Sequence, residues 1–206
     1  DIRGLHYLTS ETVISAMELT PETSVWSDTE TWTESLASLP LVRSATVVRR
    51  LPHTIVVSLL ERRPVALVPT PTLEPVDSDG IWLPLNPAVH QLDLPILETE
   101  YPLVDDRRIM PLRTRILAGE IDRLMSADTT FLKMLSEVRW GQDNSLVARW
   151  SNPDVDFFLP LGLSAERLRK GRIVLRHAMN RTPDSPPKSI DLRFAGLVLV
   201  RRDNGN

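Results

Sequence analysis

The sequence predicts an α+β fold in two parts. The first is a small three-stranded sheet covered on one face by two helices, and the second an α+β unit with a larger, mainly antiparallel sheet. Three observations lead there. A β-branched hairpin runs from Ala45 to Arg62, two short amphipathic helices precede it, and two longer helices alternate with short strands in the remainder. The chain also carries 17 prolines in 206 residues, above an average of about 5%. That density favours short elements and extended connections over a helical bundle.

Residues 9–17 read as a short helix, with Thr9 or Ser10 as N-cap and Val13, Ile14 and Met17 along one face. Ser27-x-x-Glu30 has the form of a capping box, and Trp32, Leu36 and Leu39 recur at helical spacing behind it. Pro40 ends that helix, because proline lacks the N–H and clashes with the preceding turn. Residues 45–51 and 55–62 alternate apolar and polar positions around Pro52-His53-Thr54, the pattern of two strands and a tight connection. A third strand is expected at Val65–Val68, and Asp77–Gly80 reads as a turn into Ile81-Trp82-Leu83. These elements place a first domain at 1–85 and a second at 86–206.

In the second domain the proline-containing stretch 86–111 reads as extended linking structure or edge strands. Leu112–Met125 is expected as a helix, with a shorter one near Thr130–Leu135. Strands follow at Val138–Trp140, Ser145–Trp150 and Val155–Leu159, the first two joined across Gly141–Asn144. Ser164 caps a helix to Met179 with Leu168, Leu175 and Met179 inward. Ile190–Val200 closes the chain as a strand or a bent strand pair with Gly196 at its middle.

The composition narrows the function. The net charge is −3, so no basic field invites nucleic acid. With no cysteine there is no disulfide frame, thiolate nucleophile or Cys-bound zinc. His6, His53, His90 and His177 are scattered without ligand spacing, and Asp77-x-Asp79-Gly80 lacks the downstream ligands of a calcium loop. No nucleophile elbow, phosphate-cradling glycine loop or His-Glu-x-x-His motif occurs. Neither an enzyme nor a cofactor is therefore expected. No window approaches the ~20 apolar residues of a membrane span.

The run Leu39-Pro40-x-Val42-x-x-Ala45-x-Val47-x-Arg49, with Pro52 beyond it and Glu61-Arg62-x-Pro64-x-Ala66 after the second strand, resembles the extracytoplasmic part of the FtsQ/DivIB family. Ile2-Arg3-Gly4 fits the start of a POTRA domain, Val76–Gly80 the family's Asp-x-x-Gly step, and Ile190-Asp191-Leu192-Arg193-Phe194 its Ile-Asp-Leu-Arg-Tyr strand with phenylalanine for tyrosine. The resemblance implies a POTRA domain at 1–85 and a C-terminal β domain at 86–206. It implies a non-enzymatic divisome scaffold on the periplasmic side of the cytoplasmic membrane at the septum. A single N-terminal membrane helix ahead of Asp1 is expected to anchor it. Implied partners are FtsB/FtsL-like bitopic proteins, bound by strand addition, and other division proteins at the POTRA domain. The competing expectation is a POTRA-bearing chaperone-like module of outer-membrane protein assembly, which would carry further POTRA repeats and a barrel.

Strand addition needs an edge with unpaired backbone groups. The expected partner-binding residues are Arg193, Phe194, Gly196, Leu197, Val198, Leu199 and Val200, with Arg169 on the 164–179 helix completing the groove. In the 190–200 segment, Leu192, Phe194, Val198 and Val200 are expected on one face, and Arg193, Leu197 and Leu199 on the other. Arg193 is expected to meet an acidic partner side chain. An ordinary strand paired on both sides and a solvated helix face are the alternatives. Arg49 or Arg50 is expected to pair across the hairpin with Glu61.

Overall fold

The computed structural model describes residues 1–20, 23, 24, 26, 28–69, 72–99, 109–183 and 185–202. The chain divides into two compact units, Asp1–Arg63 and Pro64–Asn206. The division falls well before residue 85, because the strand expected at 65–68 belongs to the second unit's sheet.

The first unit contains β1 (Ile2–Arg3), α1 (Ser10–Ala16), α2 (Thr29–Ala37), β2 (Val42–Arg50) and β3 (Thr54–Glu61). Thr9 caps α1, its side chain accepting from Thr12 N at 3.2 Å. Asp28 caps α2, accepting from Glu30 N at 2.9 Å. Ser27 of the expected capping box lies outside the described residues. β2 and β3 form the expected antiparallel hairpin, with Val47 opposite Val57. The third strand of this sheet is β1, parallel to β3; two residues are too few to show periodicity. Alternation turns Val42, Val47, Val57 and Leu59 toward Val13, Met17, Trp32 and Leu36 of the helices, closing one apolar core.

Two residues fix how the chain enters this unit. Gly4 has φ +86°, and a Cβ there would lie 1.9 Å from the Leu59 carbonyl oxygen, a backbone atom that cannot rotate away. Gly4→Ala adds a left-handed penalty of about 1–2 kcal/mol to that clash. It is expected to speed amide hydrogen exchange in β3 at least tenfold without changing β8–β9. Glu61 accepts the backbone N–H groups of His6, Tyr7 and Leu8 at 2.9, 2.6 and 3.1 Å. The expected pairing of Glu61 with Arg49 or Arg50 is therefore corrected. Register puts Arg49 and Arg50 opposite Ile55 and Thr54, at the turn end of the hairpin, while Glu61 pairs with Val42 at the other end.

The second unit is one eight-stranded mixed sheet, order β11-β10-β9-β8-β7-β6-β4-β5. Its strands are β4 (Pro64–Pro69), β5 (Leu73–Asp77), β6 (Ile96–Leu97), β7 (Leu135–Trp140), β8 (Leu146–Ser151), β9 (Asp154–Leu159), β10 (Ser189–Asp191) and β11 (Leu199–Arg201). The hairpins β4–β5, β7–β8, β8–β9 and β10–β11 are antiparallel, whereas β4–β6, β6–β7 and β9–β10 are parallel. Helices α3 (Leu112–Ala127), α4 (Thr129–Leu132) and α5 (Ala165–Arg181) complete the unit. Leu117, Ile121 and Leu124 of α3, and Leu168 and Leu175 of α5, share a core with Phe131, Trp150 and Phe157. Those rings lie 4.9–5.3 Å apart in tilted or edge geometry.

Gly171 sets α5 on the sheet: a Cβ there would stand 2.7 Å from Leu192 Cδ1. Side chains of α5 then fall in three sectors at about 100° per residue. Leu168, Gly171, Leu175 and Ala178 face the sheet, Arg167 lies toward one flank, and Arg169, Arg172 and Arg176 lie toward the other.

Candidate partner-binding edge

The two ends of the large sheet differ. At β5, Pro75 has no N–H to offer, its carbonyl accepts Leu83 N at 2.9 Å, and Val76 bridges to Trp82. That edge is covered from within the chain. At the other end β11 pairs only with β10 among the described residues.

The direction of the β11 backbone follows from register. Leu192 N donates to Phe158 O at 2.8 Å, so Leu192 and, by alternation, Ile190 turn their peptide groups toward β9. Ser189 and Asp191 then face β11, where they oppose Arg201 and Leu199. The residue between those two, Val200, directs its N–H and C=O off the sheet. The side chains of Val198 and Val200 pack against the core, while Leu197 and Leu199 are exposed. The edge thus carries an unpaired backbone step flanked by two solvent-facing leucines.

Gly196, with φ +77°, makes the turn that separates β10 from β11, so 190–200 is the bent strand pair. Phe194 departs from the face it was expected to share with Leu192, Val198 and Val200. It sits at the turn and is half exposed, because the chain leaves the strand after Asp191.

Arg193 is held within the chain. Its Nε and Nη2 grip the Asp191 carboxylate at 3.0 and 2.6 Å, Nη1 reaches Asp143 at 3.1 Å, and the guanidinium lies 5.1 Å above the Phe158 ring. Burial pushes the Asp191 carboxyl upward, but the bonds and charge of Arg193 outweigh it and hold the pKa below the ordinary range. The same carboxylate bond raises Arg193. Within the chain Arg193 therefore has a bracing role, tying β10 to the 141–145 turn, and a partner's acidic side chain would have to compete with Asp143, which is 80% exposed.

Arg169 is likewise not at this edge. Arg167, on the opposite flank of α5, donates to the Phe194 carbonyl. Sequence reasoning passed over Arg167, since six arginines and lysines share that helix and only packing distinguishes their directions. The structure therefore brings Arg193, Phe194, Gly196, Leu197, Val198, Leu199 and Val200 together, with Arg167 beside them and Arg169 elsewhere.

A comparison with family models matches residues 1–62 to the POTRA domain, FtsQ-type. The first unit is an FtsQ-type POTRA domain. Its limits fall within one residue of the compact unit Asp1–Arg63, and its sheet and helices are those described above. No curated protein matches the chain. The FtsQ-type domain supports an FtsQ/DivIB-family protein and suggests a division-protein scaffold. The family consists of non-enzymatic scaffolds whose work is protein–protein contact within the divisome. Glu61, the residue that clamps His6–Leu8, belongs to the Glu-Arg-x-Pro step by which the FtsQ-type domain is recognised in the sequence.

Proposed function

We propose that this chain is the extracytoplasmic part of a divisome scaffold. It recruits FtsB/FtsL-like bitopic proteins at the septum by adding one of their strands to β11. The observation that carries this is the difference between the sheet's two ends: β5 is covered by residues 81–83, whereas β11 turns the N–H and C=O of Val200 outward. Backbone hydrogen bonds supply affinity in such an addition, and pockets for alternate side chains supply register. Leu197, Leu199 and Phe194 offer the exposed apolar contacts. Arg193 holds the β10 end rigid, so the edge is preorganised.

In this reading the POTRA domain contacts other division proteins, and an N-terminal membrane helix holds the module on the periplasmic face of the cytoplasmic membrane. The FtsQ-type match supports this over a role in outer-membrane protein assembly. The test is co-purification of FtsB/FtsL-like proteins from membranes of the source bacterium, comparing the wild-type chain with Val200→Pro. Loss of both proteins on the variant supports the reading, and equal recovery refutes it.

A further inference from the structure

A second surface lies on the flank of α5 turned away from the strand edge. A groove of about 910 Å³ runs between this flank, the end of α3 and the β8–β9 turn. Its lining is uneven in chemistry. Met134, Trp150, Ile173 and Met179 give it an apolar wall, and Ile173 is half exposed. Three arginines, Arg169, Arg172 and Arg176, face one carboxylate, Asp128.

That carboxylate is already satisfied. Asp128 accepts Arg172 and the N–H groups of Thr130 and Phe131 at the start of α4. Arg172 and Asp128 thus build the wall. Arg169 and Arg176 remain exposed at the rim; Arg169 feels the charge of Glu166 one turn before it, a carboxylate already bonded to Lys170, and no hydrogen bond joins either arginine side chain to another described residue. Seven residues apart on one helix, they sit about 10.5 Å from each other along its axis. The indole N–H of Trp150 is buried without an acceptor among the described residues, so the lining also carries an unmet donor.

We propose that this groove docks an acidic amphipathic helical segment of a partner protein. Apolar side chains of that segment enter between Ile173 and Met179, and carboxylates two helical turns apart meet Arg169 and Arg176. Charge selects the partner's sign, since two exposed cations border the groove and its single carboxylate is neutralised. Shape selects a segment over a membrane: a concave apolar wall accepts protruding side chains, which a flat lipid surface does not present. Spacing selects a helix, because carboxylates at i and i+7 repeat the arginine spacing when two helices lie side by side. Arg, Trp and Met are also the side chains enriched where protein interfaces bury their core.

This surface is separate from the β11 edge, so the two can be tested apart. A display library of random 16-residue peptides is selected on the wild-type chain and depleted on the exposed double variant R169E/R176E. Peptides that survive are expected to pair acidic residues seven apart with apolar residues between them. By fluorescence anisotropy their affinity should fall more than tenfold on R169E/R176E and on Ile173→Asp, and stay within twofold on Val200→Pro. Three results overturn the proposal: no peptide distinguishes wild type from the double variant; the survivors are not acidic; or Val200→Pro weakens them equally. Binding of phosphatidylglycerol vesicles that R169E/R176E abolishes, without any such peptide, also overturns it in favour of a lipid contact.

Discussion

Val200→Pro is expected to weaken capture of a partner strand at least tenfold while leaving the second unit folded. Ser189 and Asp191 face β11 and oppose Arg201 and Leu199, so the ladder uses the peptide groups of residues 199 and 201. The N–H of Val200 points outward, and proline there removes a donor that only an added strand would use. Edge positions tolerate proline for this reason. Losing one hydrogen bond costs about 0.5–1.5 kcal/mol, and the ring also blocks close approach; tenfold corresponds to about 1.4 kcal/mol. Leu199→Pro is the contrasting variant. It removes a donor that faces β10, and should detach β11 itself. Titration of a labelled helix-then-strand peptide from an FtsB-like protein, with circular dichroism of each variant, separates the two cases. Wild-type affinity in a folded Val200→Pro chain would show that partners bind elsewhere. Phe194 is a poorer site for such a test, because it lies in the turn and its carbonyl is taken by Arg167.

Arg193→Ala should cost about 3 kcal/mol of stability, since removing one partner strands a buried charge. Asp191 is 2% exposed, and the alanine variant leaves it the backbone N–H of residue 193 and the weaker influence of the Arg201 charge. The effect should depend on pH with a definite sign. The Asp191 pKa is depressed in the folded chain, so its stabilising contribution is complete above the unfolded value of about 3.9. That contribution disappears as pH falls through the folded pKa. Without Arg193 burial dominates, the charged form opposes folding, and protonation relieves the strain. The gap between wild type and variant should therefore be widest near neutrality and shrink below about pH 4. Urea unfolding at both pH values measures it; an equal gap at the two would exclude the ion pair as the cause. Partner binding at neutral pH should weaken as well, because Arg193 connects the end of β10 to Asp143.

Much of this was legible in the chain itself. The β2–β3 hairpin announces its alternation over enough residues to fix its own register, and Thr9 and Ser164 announce their helices through local capping chemistry. The family is written in short-range steps such as Glu61-Arg62-x-Pro64, which matter because Glu61 is needed to close the turn at His6–Leu8. The 190–200 segment could be read as bent because Gly196 interrupts it.

Other features depended on residues far apart in sequence. β1 and β6 have two residues each, too few for a periodic signal, and exist because neighbouring strands accept them. The strand at 64–69 looked like a continuation of the hairpin, yet pairing with β5 and β6 draws it into the larger sheet and moves the boundary between the units. Arg193 looked available until Asp191, Asp143 and Phe158 converged on it.

The sequence by itself determined the fold class, through local periodicity, capping and turn chemistry, and the POTRA character of the first unit, through its resemblance to the FtsQ/DivIB family; the same resemblance pointed to 190–200 as the edge. Only the tertiary structure decided which peptide groups of that edge face outward and which flank of α5 each arginine takes. Those directions follow from strand register and from Gly171 seating the helix on Leu192, and neither is carried by any one segment alone.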